Sequence, residues 1–227
     1  MAAEQKISIA LGDGSRVSGI VQAPADPSAC FVFAHGAGAG MTHPFMAAVA
    51  DGLARRGIAT LRYQFPSMEL GSKRPDTPPV AHATVRAAVA EAIRNFGSLR
   101  LLAGGKSFGA RMTSQAQATD PLPQVEALLF LGFPLHPAGV PGTSRAQHLQ
   151  ALRIPMLFVQ GTQDKLAEMA QLQPVIAALG PLATLMVIDQ ADHSFHVPKR
   201  SGRNDAAVLD EMLDGVTRWV ARPQGMS

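Results

Sequence analysis

The sequence predicts an α/β fold: one domain built on an eight-stranded, mostly parallel sheet with helices on both faces. Short runs rich in β-branched residues and leucine alternate with longer segments of helical periodicity, which is typical of parallel strands joined by helical crossovers. The chain of 227 residues, with 47% hydrophobic and 16% charged residues, is long enough for one well-buried domain and too short for two. We therefore expect residues 1–227 to form a single domain.

Eight segments are predicted to be strands. The first two flank Gly12-Asp13-Gly14, a turn suited to a hairpin. The other six are apolar runs, each followed by a stretch that can hold a helix or a crossover. In chain order the predicted strands are Lys6–Leu11, Arg16–Gln22, Cys30–Ala34, Ile58–Arg62, Leu99–Ala103, Ala127–Leu131, Met156–Gln160 and Ala183–Ile188.

Two helices carry a clear apolar stripe. Apolar residues recur every three or four positions over Val80–Phe96 and again over Asp205–Ala221. Thr77 followed by two prolines is a start signal for the first of these helices, and Gly97 is a stop signal. These stripes are expected to pack against the sheet, and we assign them no chemistry.

The chain between the sixth and seventh strands is too short for a cap domain, because only about 24 residues separate them. One short helix fits near Ser144–Leu152, and the Pro- and Gly-rich stretch Phe133–Thr143 is interpreted as a surface loop. An uncapped site would be open to small or exposed substrates. The loop from Gln64 to Pro79 is then the expected wall of the site, with Phe65 and Met68 as apolar substrate contacts.

Composition excludes several classes of function. The net charge is only +3, and no basic run is interleaved with aromatic residues, so we expect no nucleic-acid binding despite a pI near 9.4. The single cysteine, Cys30, lies in an apolar run and is expected to be a buried, inert thiol. Residues 1–20 lack the pattern of a signal peptide, and no apolar run approaches a membrane span. We predict a cytoplasmic protein with no membrane partner.

The predicted strand Leu99–Ala103 leads directly into Gly105-Lys106-Ser107-Phe108-Gly109, followed by the helical segment Ala110–Thr119. A G-x-S-x-G motif between a strand and a helix is typical of a nucleophile elbow. The glycines let strand and helix approach closely, and the strained turn projects the Ser107 hydroxyl above the sheet. The alternative is that Ser107 is an ordinary residue capping the helix N-terminus.

A serine nucleophile needs a base and an orienting carboxylate, in the chain order serine, acid, histidine for this arrangement. Asp164 lies just past the end of one predicted strand, and His193 lies in the loop after the last strand. Asp189 and Asp192 are rivals for the acid, and His196 is the rival for the base. We prefer Asp164 because side chains adjacent to His193 in sequence rarely face it with hydrogen-bonding geometry.

The oxyanion of an acyl-transfer reaction needs two backbone N–H donors. One is predicted to be the N–H group of Phe108, the residue after the nucleophile. The other is expected from the glycine-rich loop His35–Gly40, with Ala37 preferred and Gly38 as the alternative. A phosphate-binding loop is the competing interpretation, but the spacing is neither G-x-G-x-x-G nor that of a P-loop.

No metal or cofactor is expected. The histidines do not show metal-ligand spacing with one another or with acidic residues. The remaining four outside the oxyanion loop and the last loop are interpreted as solvated side chains: His43, His82, His136 and His148.

With these residues in hand, the chain resembles the α/β-hydrolase superfamily, in particular its small uncapped branch near the dienelactone hydrolases. The resemblance is carried by His35-Gly36-Ala37-Gly38, the Gly105–Gly109 elbow, Gly161–Asp164 and Asp192-His193. It implies the α/β-hydrolase fold without a cap domain, and a triad of Ser107, Asp164 and His193. Dienelactone hydrolases use a cysteine nucleophile, so the serine found here shifts the expectation towards general ester chemistry.

The chain also resembles a group of bacterial predicted hydrolases. The shared stretches are Arg74-Pro75-Asp76, Phe133-Pro134-Leu135-His136-Pro137 and Asp192-His193-Ser194-Phe195. That group is similar to a eukaryotic subunit of a histone-acetyltransferase complex. The resemblance therefore implies, as an alternative, a non-catalytic protein-interaction module on the same fold.

The sequence thus predicts a serine hydrolase that acts on small ester or thioester substrates, with transferase activity as a further outcome of the same acyl-enzyme. Lys106 flanks the nucleophile, Arg111 lies one helical turn later, and both are candidate substrate-binding residues. Together with Arg62, Lys73 and Arg74 they suggest an anionic substrate, against the plainer interpretation of surface solubility and helix packing. The oligomeric state is left open.

Overall fold

The structure, a computed structural model, describes residues 3–222. The two ends of the predicted domain, residues 1–2 and 223–227, lie outside the described part. The strands are β1 Glu4–Ala10, β2 Arg16–Gln22, β3 Ala29–Ala34, β4 Ile58–Tyr63, β5 Arg100–Lys106, β6 Val125–Leu131, β7 Met156–Gly161 and β8 Ala183–Ile188. The helices are α1 Pro44–Ala54, α2 Pro66–Glu69, α3 Pro78–Phe96, α4 Phe108–Thr119, α5 Met169–Leu179 and α6 Asp205–Val220.

The strands form one eight-stranded sheet in the order β1-β2-β4-β3-β5-β6-β7-β8. The hairpin β1–β2 is antiparallel and joins the edge of β4 in antiparallel register, while every pair from β4 through β3 to β8 is parallel. The predicted fold is therefore confirmed. Because the carboxyl ends of parallel strands lie along one edge, the loops after β3, β5, β7 and β8 meet there.

Helices cover both faces of this sheet. The side chains of β3 illustrate this, because successive residues point to opposite faces. Cys30, Val32 and Ala34 point into a core shared with α3, α4 and α5, whereas Phe31 and Phe33 point into a core shared with α1 and α6. Period-two alternation in a strand buried on both sides produces this continuous apolar run. Burial also raises the pKa of the Cys30 thiol to about 12, which keeps it in the unreactive thiol form.

The observed bounds differ most from prediction at the end of β5. The strand continues through Gly104, Gly105 and Lys106, which pair with Leu129, Phe130 and Leu131 of β6. Glycine is a poor strand former, so sequence propensity ended the strand too early. A side chain at Gly104 would meet the carbonyl oxygen of Leu129 at 1.9 Å, which explains why this buried strand carries glycine there.

Residues 132–155, between β6 and β7, hold a loop and the 3₁₀ helix Ser144–Ala151, and no cap domain is inserted there. The prediction that Phe133–Thr143 is a surface loop is wrong for its first half. Phe133 is fully buried against Phe130 and Phe158, with ring centroids 5.3 and 5.8 Å away. No helix within the described residues is both long and apolar enough to cross a membrane.

Candidate active site

The turn between β5 and α4 holds Ser107 in a strained backbone conformation, with φ 50° and ψ −108°. Side chains at Gly105 and Gly109 would lie 2.4 and 2.5 Å from the carbonyl oxygen of Ala34, so only glycine allows this close approach to β3. Ser107 stands at the N-cap position of α4, but its side chain makes no capping hydrogen bond. The alternative role as an ordinary cap therefore does not describe this serine.

The structure brings the three predicted triad residues into one hydrogen-bonded row. Nε2 of His193 lies 2.8 Å from Oγ of Ser107, and Nδ1 of His193 lies 2.6 Å from Oδ2 of Asp164. Asp164 is 2% exposed, and a buried carboxylate needs several donors. The backbone N–H of Leu166 donates to its Oδ1 at 2.8 Å, and the amide of Gln160 donates to its Oδ2.

The rival acidic residues are engaged elsewhere. Oδ1 of Asp192 accepts the backbone N–H groups of Ser194 at 2.8 Å and His196 at 3.0 Å, which shapes the loop after β8. Asp189 lies 3.4 Å from the hydroxyl of Thr162 at the exposed edge of the sheet. Among the described contacts, Asp164 is therefore the carboxylate that meets His193.

The rival base is also engaged elsewhere. The imidazole of His196 is exposed and pairs with Asp205 at 2.9 Å. Of these two histidines, His193 is therefore the one that faces Ser107.

Two backbone segments lie beside Ser107. The N–H of Phe108 is the first of α4 and has no acceptor within the helix. Ala37 belongs to the loop after β3 and lines the same cavity as Ser107. The loop turns tightly there, with Ala39 donating to the carbonyl of Gly36 at 3.2 Å and with φ 68° at Gly38.

His35 stabilises this loop through two hydrogen bonds of its imidazole, a role that the sequence analysis missed. Its Nδ1 donates to the carbonyl oxygen of Gly36 at 2.7 Å, and its Nε2 accepts the backbone N–H of Phe65 at 3.1 Å. Burial lowers the pKa of His35, which favours the neutral tautomer that these two bonds require.

A cavity of about 320 Å³ opens directly above Ser107 and His193. Ala37 and Lys106 are predicted site residues that line it. The other wall residues, none of which was predicted as a substrate contact, come from the loops after β3, β7 and β8 and from the start of α1: Gly36, Ala39, His43, Phe45, Met46, Leu166 and Ser194.

Two predicted substrate contacts, Phe65 and Arg111, do not line this cavity, and their side chains pack elsewhere. Phe65 is 1% exposed and lies in the core, with its ring 4.9 Å from His35 and 5.4 Å from Phe108. Arg111 lies one turn along α4, with its guanidinium 5.9 Å from the ring of Phe108, and does not line the cavity. Both side chains contact the ring of Phe108, the residue after Ser107.

The other two predicted contacts, Met68 and Lys106, differ in their position relative to the cavity. Met68 is partly buried on α2 close to Gly40, outside the cavity above Ser107. Lys106 does line that cavity, but its ammonium donates to the carbonyl oxygen of His193 at 2.6 Å. Its polar group is therefore directed at the protein backbone.

The basic residues do not converge on the cavity as the anionic-substrate hypothesis requires. Arg62 is 1% exposed and is paired with Glu4 and Gln22 beneath the hairpin. Lys73 packs its backbone against Gly38, and Arg74 is exposed on the loop before α3. Only Lys106 of the five basic residues lines the cavity.

His136 was predicted to be solvated, and the structure buries it. Its Nε2 lies 2.6 Å from a carboxylate oxygen of Glu168, and its Nδ1 donates to the carbonyl of Pro137 at 2.9 Å. The backbone N–H of the preceding residue, Leu135, donates to the carbonyl of Leu166 at 2.8 Å. This segment therefore packs against residues 162–168, the loop after β7 that carries Asp164 and that we call the acid loop.

The other three histidines also have defined places. His148 is partly buried and 2.8 Å from the hydroxyl of Ser114, and His82 lies 3.3 Å from Gln115. His43 is exposed and caps α1 by accepting the N–H of Phe45. Within residues 3–222, no group of three or more His, Cys, Asp and Glu side chains is placed to hold a metal ion.

Comparison with known proteins agrees with the fold described above. Residues 27–221 match the model of a family described as an alpha/beta hydrolase domain. A dienelactone hydrolase from Anabaena variabilis is 21% identical, with a TM-score of 0.77 over 96% of both chains. A serine hydrolase without a lid from Xanthomonas campestris is 19% identical, with a TM-score of 0.75 over 97% of this chain and 96% of that one. At such identities these structures establish likeness of fold.

Proposed function

The chain belongs to the alpha/beta hydrolase family, and we propose that it is a serine hydrolase that cleaves small ester or thioester substrates through an acyl-enzyme. One observation carries this proposal. Asp164, His193 and Ser107 form an unbroken hydrogen-bonded row, with distances of 2.6 and 2.8 Å, and the row ends in an open cavity. A hydroxyl, a base and a buried carboxylate in this order are the parts that acyl transfer needs.

In the first step, the Ser107 hydroxyl attacks the carbonyl carbon of the ester while Nε2 of His193 accepts its proton. Asp164 keeps the other ring nitrogen protonated and stabilises the imidazolium as it forms. The three donors on Asp164 hold that carboxylate in place, so the ring is oriented before substrate arrives.

The tetrahedral intermediate carries a negative oxygen, for which we propose the N–H groups of Phe108 and Ala37 as donors. The helix α4 points its positive N-terminus at the same position. His193 then protonates the departing alcohol or thiol. Water attacks the acyl-enzyme with His193 again as base, which releases the acid and restores Ser107.

The walls of the cavity favour a small substrate. Phe45, Met46 and Leu166 supply apolar surface, and the cavity stays open because no cap covers it. The assembled triad also argues against the non-catalytic alternative, since an interaction module has no need of a buried carboxylate, an oriented imidazole and a strained serine in register.

Labelling with a fluorophosphonate probe, together with hydrolysis of p-nitrophenyl acetate, tests the proposal. Wild type is expected to be labelled and to turn over the ester, and Ser107→Ala and His193→Ala are expected to lose turnover by about four orders of magnitude. Ser194→Ala and His196→Ala are matched controls, because Ser194 lines the same cavity and His196 lies three residues beyond the base. A folded wild type that is neither labelled nor active would overturn the proposal, and so would controls that lose as much activity as the triad variants.

A further inference from the structure

We propose that Lys106 is a positioning residue whose ammonium group holds the loop carrying His193 against the nucleophile elbow. This proposal rests on the function proposed above for Ser107 and His193. We call residues 189–197, which follow β8 and include His193, the base loop.

The proposal starts from one contact between distant parts of the chain. Nζ of Lys106 donates to the backbone carbonyl oxygen of His193 at 2.6 Å, across 87 positions of sequence. Lys106 is the last residue of β5 and directly precedes Ser107. A single side chain therefore ties the backbone of the base to the strand that positions the nucleophile.

Phe195 and Gly132 surround the ammonium of Lys106. The ammonium lies 5.4 Å from the centroid of the Phe195 ring, which is within reach of a cation–π contact. A Cβ atom at Gly132 would lie 2.9 Å from Nζ of Lys106 and 3.4 Å from Cε1 of His193. Gly132, with φ 68°, thus leaves the room that both side chains share.

Burying an ammonium costs free energy, which the hydrogen bond to the carbonyl of His193 offsets in part. Burial lowers the pKa of the Lys106 ammonium to about 8, and the carboxylates of Asp164 and Asp192 work in the opposite direction. These two carboxylates come from the acid loop and the base loop. His193 is the other titratable group that meets the ammonium, through its backbone carbonyl.

The base loop is held by its own turns and by bonds to its neighbours. The N–H of Gln163 donates to the carbonyl of Ala191 at 2.9 Å, and Asp205 accepts the N–H of Val197 at 3.1 Å. The N–H of Asp192 donates to the carbonyl of His196 at 3.0 Å, and the N–H of Phe195 donates to the carbonyl of Asp192 at 3.0 Å. None of these bonds reaches β5, the strand that leads into Ser107. The bond from Lys106 joins the backbone of the loop to β5 directly. Its loss should therefore displace the imidazole, reducing kcat more than it changes KM.

Removal and chemical restoration of the amine test this role. Lys106→Met and Lys106→Cys are expected to lower kcat roughly 10- to 100-fold, the scale of a displacement of about 1 Å, with KM within about threefold. Treating the Lys106→Cys variant with 2-bromoethylamine adds an amine through a thioether and is expected to restore most of kcat. Cys30 is fully buried, so the new thiol is the one that reacts, and treated wild type is the control.

Two further readouts separate this role from general damage. We expect kcat of wild type to fall at alkaline pH, as the Lys106 ammonium loses its proton. In the restored variant this fall should occur at lower pH, because the thioether makes the amine less basic. Hydrogen exchange of residues 189–197 should accelerate in Lys106→Met, while exchange in the β1–β2 hairpin stays as in wild type.

Hydrogen exchange does not depend on turnover. It therefore tests whether Lys106 holds the base loop even if no ester is hydrolysed and the proposed function fails. Wild-type kcat together with wild-type exchange in Lys106→Met overturns the proposal. A loss of kcat that aminoethylation does not restore overturns it as well.

Discussion

Nδ1 of His193 lies 2.6 Å from Oδ2 of Asp164, although 29 positions of sequence separate the two residues. The loops after β7 and β8 bring them together, since these parallel strands are neighbours and end at the same edge of the sheet. The carboxylate is buried and receives donors from Gln160 and Leu166 as well. Asp164 is thus held in one orientation towards the imidazole.

Asp164→Asn should lower kcat by about 10³- to 10⁴-fold, because the amide leaves the imidazole in the wrong tautomer and without an opposing charge. Asp189→Asn is the matched control, since Asp189 is a rival from the sequence that lies at the exposed edge of the sheet. Steady-state hydrolysis of p-nitrophenyl acetate measures both. A loss in Asp189→Asn equal to that in Asp164→Asn contradicts the assignment of the acid.

Gly109→Ala should lower the free energy of unfolding by about 2–4 kcal/mol, the range expected when buried backbone must move. The added Cβ would lie 2.5 Å from the carbonyl oxygen of Ala34 and 2.7 Å from its carbonyl carbon, so α4 cannot keep its distance from β3. Urea unfolding measures the change. Gly12→Ala is the control, because a Cβ there has no heavy atom within 4 Å. A Gly109→Ala change of under about 0.5 kcal/mol would show that the elbow tolerates bulk.

The fold could be predicted from local patterns because each buried strand is a short apolar run with a helix or crossover behind it. The same patterns place Ser107, Asp164 and His193 just past strand ends, where a parallel sheet collects its loops. Propensity failed at Gly104 and Gly105, which lie in a strand because only glycine fits against Leu129 and Ala34. Local sequence carries no record of such a tertiary contact.

The cavity could not be predicted in the same way. Phe65 follows a strand as the motif residues do, yet its ring turns inward to meet His35 and Phe108. Phe45 and Leu166 line the cavity from segments that have no motif. Side-chain direction in these loops depends on packing between elements far apart in sequence. The polar Gln160 at the end of a buried strand was the one readable signal of a partner for Asp164.

The ion pair between His136 and Glu168 should make part of the stability pH-dependent. Burial opposes protonation of His136, but its bonds to Pro137 and Glu168 outweigh this and raise its pKa. The bond from His136 lowers the pKa of Glu168. The stability from His136 is complete below its ordinary pKa of 6.5 and is lost as pH rises through the raised value. The contribution from Glu168 is present above 4.5 and is lost as pH falls.

His136→Gln should therefore destabilise the protein more at pH 6 than at pH 9, measured as the difference in free energy of unfolding from wild type. His148 supplies a control of opposite sign. Burial, with smaller effects of Arg111 and His82, lowers its pKa to about 4, so the native state resists protonation there and is favoured at higher pH. His148→Gln should thus destabilise less at pH 6 than at pH 9. Equal effects of His136→Gln at both pH values would contradict the paired state of His136.

Phe45 should limit the length of the acyl chain. Its ring stacks on Phe195 at 5.8 Å with an interplanar angle of 8°, and Phe45 and Ser194 line both the cavity above Ser107 and a second cavity of about 360 Å³. That second cavity is bounded further by Ala48 and Leu209. Removing the ring joins two apolar spaces, so Phe45→Ala gains room for a longer chain.

Phe45→Ala should therefore raise the ratio of kcat/KM for p-nitrophenyl hexanoate to that for the acetate by about tenfold, the scale of discrimination that one or two methylenes provide. Leu70→Ala is the matched control: Leu70 is 85% exposed on the loop that the sequence suggested as the wall of the site, and its loss should leave the ratio unchanged. If Leu70→Ala shifts the ratio and Phe45→Ala does not, substrate lies along the loop before α3, and the cavity beside α1 is not where the acyl chain binds.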